Sequence, residues 1–324
     1  MDYRKLVDGL DGLTNLPFVI YNVAIMLPSP LLLLSYGSPE RQEDVVPFLH
    51  NLFAGRNVTD ERIAAASQKY ERYAAKTGHY SPLNTECRKL IEGIQQIAPN
   101  LPIYWGNLFW HPLLADTVAE MAWDGVKHAV CFATSAFDSP SGNQRYADAL
   151  VNPLVKIEKL PLPFEHPLFI EAQVERLLAT CLCGTPAPRI LFTAHSISLA
   201  DAAQTDYVEQ LQSTCRAVIN KSGLSVPWEL VYQSRSGQPE NWLGPDIKGR
   251  IRELAAEGHC QSVIVSPIGF FCENMETEYD LDIEVGKCCK ELGLSYYRAK
   301  AVGAMPKICR MIVELHHTSP IVSG

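Results

Sequence analysis

Three features are missing from this sequence: a basic surface, a cysteine framework and an unbroken apolar span. Lysine and arginine total 28 against 36 aspartates and glutamates, a formal net charge of -8. A protein that tracks phosphates needs a basic stripe, so nucleic acid is not an expected partner, and mild acidity instead suits a cationic ligand. Cysteine itself is plentiful, at 10 residues, but Cys87, Cys131, Cys181, Cys183, Cys215, Cys260, Cys272, Cys288, Cys289 and Cys309 form no Cys-x-x-Cys and no paired spacing. Reduced thiols acting as small apolar side chains are the expectation. The apolar segment 16–34 is interrupted by Pro17, Pro28 and Pro30 and carries Asn22. Neither a signal peptide nor a spanning helix fits it, which leaves at most peripheral membrane contact and a cytoplasmic location.

What is present reads as a globular protein of two similar halves. Hydrophobic residues make up 47% of the chain and charged residues 20%, and 324 residues exceed the size of most single cores. Short apolar runs at 31–36, 103–108, 128–133, 189–195, 229–234, 262–267 and 295–298 predict buried parallel strands. Three- and four-residue apolar spacing predicts helices at 44–53, 61–75, 87–97, 113–123, 173–181, 202–220, 246–257, 274–292 and 306–315. The halves also echo each other. Glu120 to Gly125 leads through a strand to Ser135-Ala136-Phe137, and Glu253 to Gly258 leads at the same spacing to Ile268-Gly269-Phe270. An α/β fold of two Rossmann-like domains follows, with the proline-rich stretch 160–167 as the linker. Ligands are then expected at the carboxyl ends of the strands.

Three groups of residues there bear chemistry. Thr193-Ala194-His195-Ser196 ends a strand on an imidazole that titrates near neutrality; by itself it fits a structural histidine as well as a base. Glu276, Asp280 and Glu284 recur every four residues, so on a helix their carboxylates share one face with no lysine or arginine between them. Both a solvated acidic face and an unpaired ladder that guides a cation are open on spacing alone. Tyr36-Gly37-Ser38-Pro39 is a turn that would present a phenol after the first strand.

Taken in order, Tyr36-Gly37-Ser38-Pro39, Gly55-Arg56-Asn57, Ser81-Pro82-Leu83, His111-Pro112, Thr193-Ala194-His195-Ser196, Trp242-Leu243-Gly244-Pro245-Asp246, Gly269-Phe270 and Glu276 with Tyr279-Asp280 resemble the ferrochelatase family from about Leu31 onward. The resemblance implies two Rossmann-like domains with parallel four-stranded sheets, the chelatase fold: an extension at 1–29, a first domain of 30–165 and 305–324, and a second of 166–304. It implies insertion of Fe2+ into a porphyrin in haem biosynthesis, with iron as substrate and no permanently bound cofactor. His195 then accepts pyrrole protons or binds metal, and Glu276 faces it across the macrocycle. Asp280 and Glu284 line a metal or proton route. Tyr36, Arg56, Ser81 and Phe270 contact the porphyrin, and a tyrosine at position 36 resembles the coproporphyrin III branch rather than the protoporphyrin IX branch.

The chain departs from the family pattern at several points. Asn143 stands where cluster-bearing relatives have cysteine, so no [2Fe–2S] cluster is expected. Leu108 replaces a usual basic residue, Glu273-Asn274 a common Asp-His pair, and Ser198 a proline. The rival readings are a porphyrin- or haem-binding relative without turnover and a chelatase for another tetrapyrrole. Oligomeric state is not legible from the sequence.

Overall fold

The structure, a computed structural model, describes residues 29–320 apart from 56–57, 152–153, 182–186, 236–238 and 259. Strands β1 (Leu31–Ser35), β2 (Ile103–Asn107), β3 (His128–Ala133) and β4 (Lys156–Lys159) form one sheet in the order β2-β1-β3-β4. Strands β5 (Pro188–His195), β6 (Trp228–Gln233), β7 (Ser262–Ser266) and β8 (Ser295–Arg298) form the second in the order β6-β5-β7-β8. Every ladder is parallel. The two sheets therefore repeat one topology, as the internal echo in the sequence suggested.

The helices are α1 (Gln42–Phe53), α2 (Asp60–Thr77), α3 (Leu83–Ile97), α4 (Leu114–Trp123), α5 (Arg145–Ala149), α6 (Pro167–Cys181), α7 (Leu199–Ala202), α8 (Tyr207–Ser222), α9 (Ile247–Glu257), α10 (Gly286–Glu291) and α11 (Pro306–His317). A continuous apolar strand needs cover on both faces. β1 shows how that is met: Leu31 and Leu33 face the core shared with the second half, while Leu32 and Leu34 face α4. The shared core is pinned by Phe271 after β7. Its ring lies 5.3 Å from Phe132 of β3 and stacks on Phe169 of α6 at 6.2 Å. Helix α11 packs on both α3 and α6, which ties the chain's end to elements of each half.

Three of the differences from expectation have a local reason. β4 was not foreseen because Lys156-Ile157-Glu158-Lys159 is polar, as an edge strand paired only to β3 can be. The helix expected over 202–220 is broken into α7 and α8, and Ser198 accepts the Asp201 N–H at 3.0 Å to start α7. The residue standing in place of proline is thus an N-cap. The helix expected over 274–292 is a π-helix from Glu276 to Val285 that continues into α10.

Gly269 sets the spacing between β5 and the loop that carries the site. Its N–H donates to the Thr193 carbonyl at 3.1 Å, and a Cβ there would lie 2.4 Å from the Cβ of Ala194. Such an approach admits no side chain. Gly269→Ala should destabilise the fold by about 1–3 kcal/mol, read as a lower midpoint in chemical denaturation; an unchanged midpoint would show that the loop is not pressed on β5.

Candidate functional site

β5 ends on His195, whose carbonyl accepts the Tyr207 hydroxyl of α8 at 3.0 Å. One strand over, Gln233 ends β6, in register with His195. The Gln233 side-chain oxygen accepts from Thr193 Oγ1 at 2.8 Å, and its nitrogen donates to the Glu276 carbonyl at 3.3 Å. The ends of β5 and β6 thereby hold the start of the π-helix. Asn274 caps that start: its Oδ1 accepts the N–H groups of Glu276 at 2.8 Å and Thr277 at 3.0 Å. The amide in place of an imidazole thus performs a backbone task. Behind it, buried Glu273 accepts two bonds from Arg298 Nη1, at 2.9 and 3.0 Å, one from Thr277 Oγ1 at 2.8 Å and one from the Ala301 N–H at 2.6 Å.

His195 Nδ1 and Glu276 Oε2 are 3.2 Å apart. Burial opposes charge on both, but their mutual attraction outweighs it, so the imidazole is held above its ordinary value and the carboxyl below. Groups that sandwich a flat macrocycle stand roughly 7 Å apart, twice the carbon contact distance, whereas in this structure His195 and Glu276 touch.

The ladder is also paired, by partners that the spacing of its carboxylates does not reveal. Asp280 is buried; its Oδ1 accepts from Lys69 Nζ of α2 at 2.6 Å and its Oδ2 from the Ser234 hydroxyl. Burial nonetheless raises the Asp280 pKa, aided by Glu276 and opposed by Lys69. Glu284 accepts from Lys248 Nζ of α9 at 2.7 Å and is more exposed. Glu278 accepts from the Tyr73 hydroxyl. Lys69 and Tyr73 are one turn apart on α2, so that helix grips the π-helix twice. Spacing arguments missed Lys69, Tyr73 and Gln233 because their partners are far away in sequence.

The remaining candidates distribute as follows. Tyr36 is half-buried beyond β1, its ring 5.2 Å from Phe109 and 5.6 Å from Tyr146. The Arg145 guanidinium lies over the other partner, 5.1 Å from the Phe109 ring. Ser81 is buried and its Oγ accepts the Leu83 N–H at 3.3 Å at the start of α3. Phe270 is buried in the loop after β7. Arg56 lies outside the described residues, as do residues 1–28 of the expected extension. Cys87, Cys131, Cys215, Cys260, Cys272, Cys288, Cys289 and Cys309 are buried free thiols. Among the described residues no three His, Cys, Asp or Glu side chains form a metal-holding group, and no helix is long and apolar enough to cross a membrane.

Two solved structures share this architecture. SirB from Bacillus subtilis with Fe3+ matches with a TM-score of 0.56 at 12% identity, over 90% of this chain and 96% of that one. The sirohydrochlorin chelatase SirB from Bacillus subtilis subspecies spizizenii, in complex with cobalt, gives 0.52 at 11%, over 91% and 96%. At such identities the likeness is one of fold, and the fold is that of the chelatases. The sequence narrows this. The profile of the Ferrochelatase family matches residues 29–319. A ferrochelatase of Rhodopirellula baltica is 40% identical over 301 residues, covering 88% of this chain and 84% of that one. Proteins named coproporphyrin III ferrochelatase from Frankia alni and Nocardia farcinica are 40% and 39% identical, covering 88% and 90% of this chain and 78% and 88% of theirs. The chain belongs to the ferrochelatase family, whose enzymes insert metal into a porphyrin in haem synthesis.

The His195–Glu276 contact has a pH signature. The raised imidazole contributes stability that is complete below its ordinary value of 6.5 and is lost as pH rises through the higher folded value. The depressed carboxyl contributes above its ordinary value of 4.5 and fails as pH falls through the lower folded value. The pair is strongest between those ordinary values. Glu276→Gln should lower the His195 pKa, followed by imidazole nitrogen NMR; an unmoved titration would show that the two groups do not interact.

Proposed function

We propose that this chain inserts Fe2+ into coproporphyrin III, with release of two protons, on the wall formed by His195 and Glu276. The hydrogen bond between those two side chains is the observation that carries the reading. Metalation removes two pyrrole N–H protons while a hydrated Fe2+ loses water, so it needs a base and an oxygen or nitrogen donor at one place. With Glu276 on Nδ1, Nε2 is the nitrogen left to meet the ring. A neutral imidazole there takes a pyrrole proton, and the adjacent carboxylate stabilises the imidazolium formed. Glu276 is also a ligand or proton acceptor for the incoming metal, and Asp280 and Glu284 are the stations behind it. Bending of the macrocycle against this wall would expose the nitrogen lone pairs. Iron is the substrate throughout, and no step draws on a resident cofactor.

The preference for coproporphyrin III is supported by Tyr36 and by relatives of that name. Tyr36 and Phe109, half-buried and backed by the buried ring of Tyr146, supply an aromatic surface at the end of β1 suited to a flat ring. Arg145 beside it suits a propionate, as does Arg56 by its guanidinium fork. Ser81 accepts the Leu83 N–H, which leaves its own hydroxyl hydrogen free to donate to a carboxylate.

Anaerobic incubation with Fe2+ and either coproporphyrin III or protoporphyrin IX, followed by the Soret and Q bands, tests both parts. The expected result is faster metalation of coproporphyrin III. A faster reaction with protoporphyrin IX would overturn the substrate, and no rate above the uncatalysed one with either would overturn the activity. His195→Ala should lose about a hundredfold or more of the rate while still binding porphyrin.

A further inference from the structure

Helix α2 is bound to the π-helix by a charge that neither the family likeness nor the spacing of carboxylates calls for. Lys69 extends its ammonium to Asp280 Oδ1 at 2.6 Å and lies 4.9 Å from the centre of the Tyr279 ring. Its side chain is about a third exposed, against 11% for the Asp280 side chain, so the Lys69 side chain keeps access to water that Asp280 lacks. Its field reaches Glu276 and Glu284 as well as Asp280, and it opposes protonation of His195. Glu276 and Glu284 are each more than a third exposed and pair with His195 and Lys248, so the buried member of the ladder is the one that Lys69 neutralises. Below it, Ser234 holds the other oxygen of Asp280 from a left-handed backbone conformation, φ 59°, that non-glycine residues seldom adopt. The middle carboxylate of the ladder is therefore fixed in place and already occupied.

We propose that Lys69 is a resident counter-cation standing at Asp280, and that a divalent metal passing from Glu284 to Glu276 moves by displacing its ammonium. This rests on the reading of the ladder as the metal's route. A buried carboxylate without a compensating charge would hold a dication tightly. The ammonium on Asp280 prevents this: its repulsion weakens metal binding enough that the ion is handed on to the porphyrin rather than retained. The flexible four-carbon stem lets the ammonium swing toward solvent when the metal arrives, without moving α2.

The test compares the wild type with Lys69→Met, Lys69→Gln, Lys69→Arg and Asp280→Asn at saturating porphyrin, together with Mn2+ binding to the porphyrin-free protein by electron paramagnetic resonance. Removing the charge in Lys69→Met or Lys69→Gln should lower the metal concentration for half-maximal rate about three- to tenfold, tighten Mn2+ binding in step and reduce kcat. Lys69→Arg should stay near the wild type, and Asp280→Asn should raise the metal requirement. The porphyrin KM should hardly move. If Asp280→Asn raises the metal requirement while both neutral variants leave it unchanged, or change the porphyrin KM instead, Lys69 is only a strap and the proposal is overturned with the route intact. If Asp280→Asn also leaves metal dependence unchanged, the route itself falls and the proposal with it.

Discussion

A helix that carries Glu276, Asp280 and Glu284 on one face packs against its neighbours at least cost when those neighbours supply opposite charge. That requirement organises the site. His195 from β5 meets Glu276, Lys69 from α2 meets Asp280 and Lys248 from α9 meets Glu284. The charges come from three different elements, and one of them, α2, belongs to the first half of the chain, so the site exists only when α2 packs against the second half. A second pairing lies behind the first. Arg298, at the end of β8, clamps Glu273 and Asp282 and fixes the base of the π-helix. Truncating one partner of such a buried pair strands the other, which is costly, and the arrangement is stiff for that reason.

The sheets serve this requirement by placing strand ends. β5 and β6 stop side by side at His195 and Gln233, and Gly269 lets the loop from β7 lie directly on Ala194. The π-helical winding of Glu276–Val285, with its wider turn, keeps four-residue neighbours close to one face, as an α-helix would. Phe271 then anchors the same loop into the core common to both halves. Packing and chemistry meet in one short segment, from Gly269 to Asp280.

Much of the fold is legible in the sequence because buried parallel strands are continuous apolar runs, and seven of the strands announce themselves that way. β4 does not, since Lys156 and Lys159 belong to a solvent-facing edge. The parts of the site that lie close in sequence are legible too: the ladder by its spacing and His195 by its place at a strand end. Their relation is not. Nothing in the order of residues says that His195 and Glu276 touch rather than oppose each other, or that Lys69, 211 positions from Asp280, neutralises it. Asn274 shows the same limit from another side: as a departure from the family pattern it reads as a lost imidazole, whereas in the structure it caps the π-helix.

If His195 and Glu276 form a single metalating wall, a crystal structure of the protein with coproporphyrin III bound will show a ring with both side chains on the same face, His195 Nε2 directed at the pyrrole nitrogens, and Tyr36 and Phe109 on the other face. A ring lying between His195 and Glu276, or bound away from both, would contradict it.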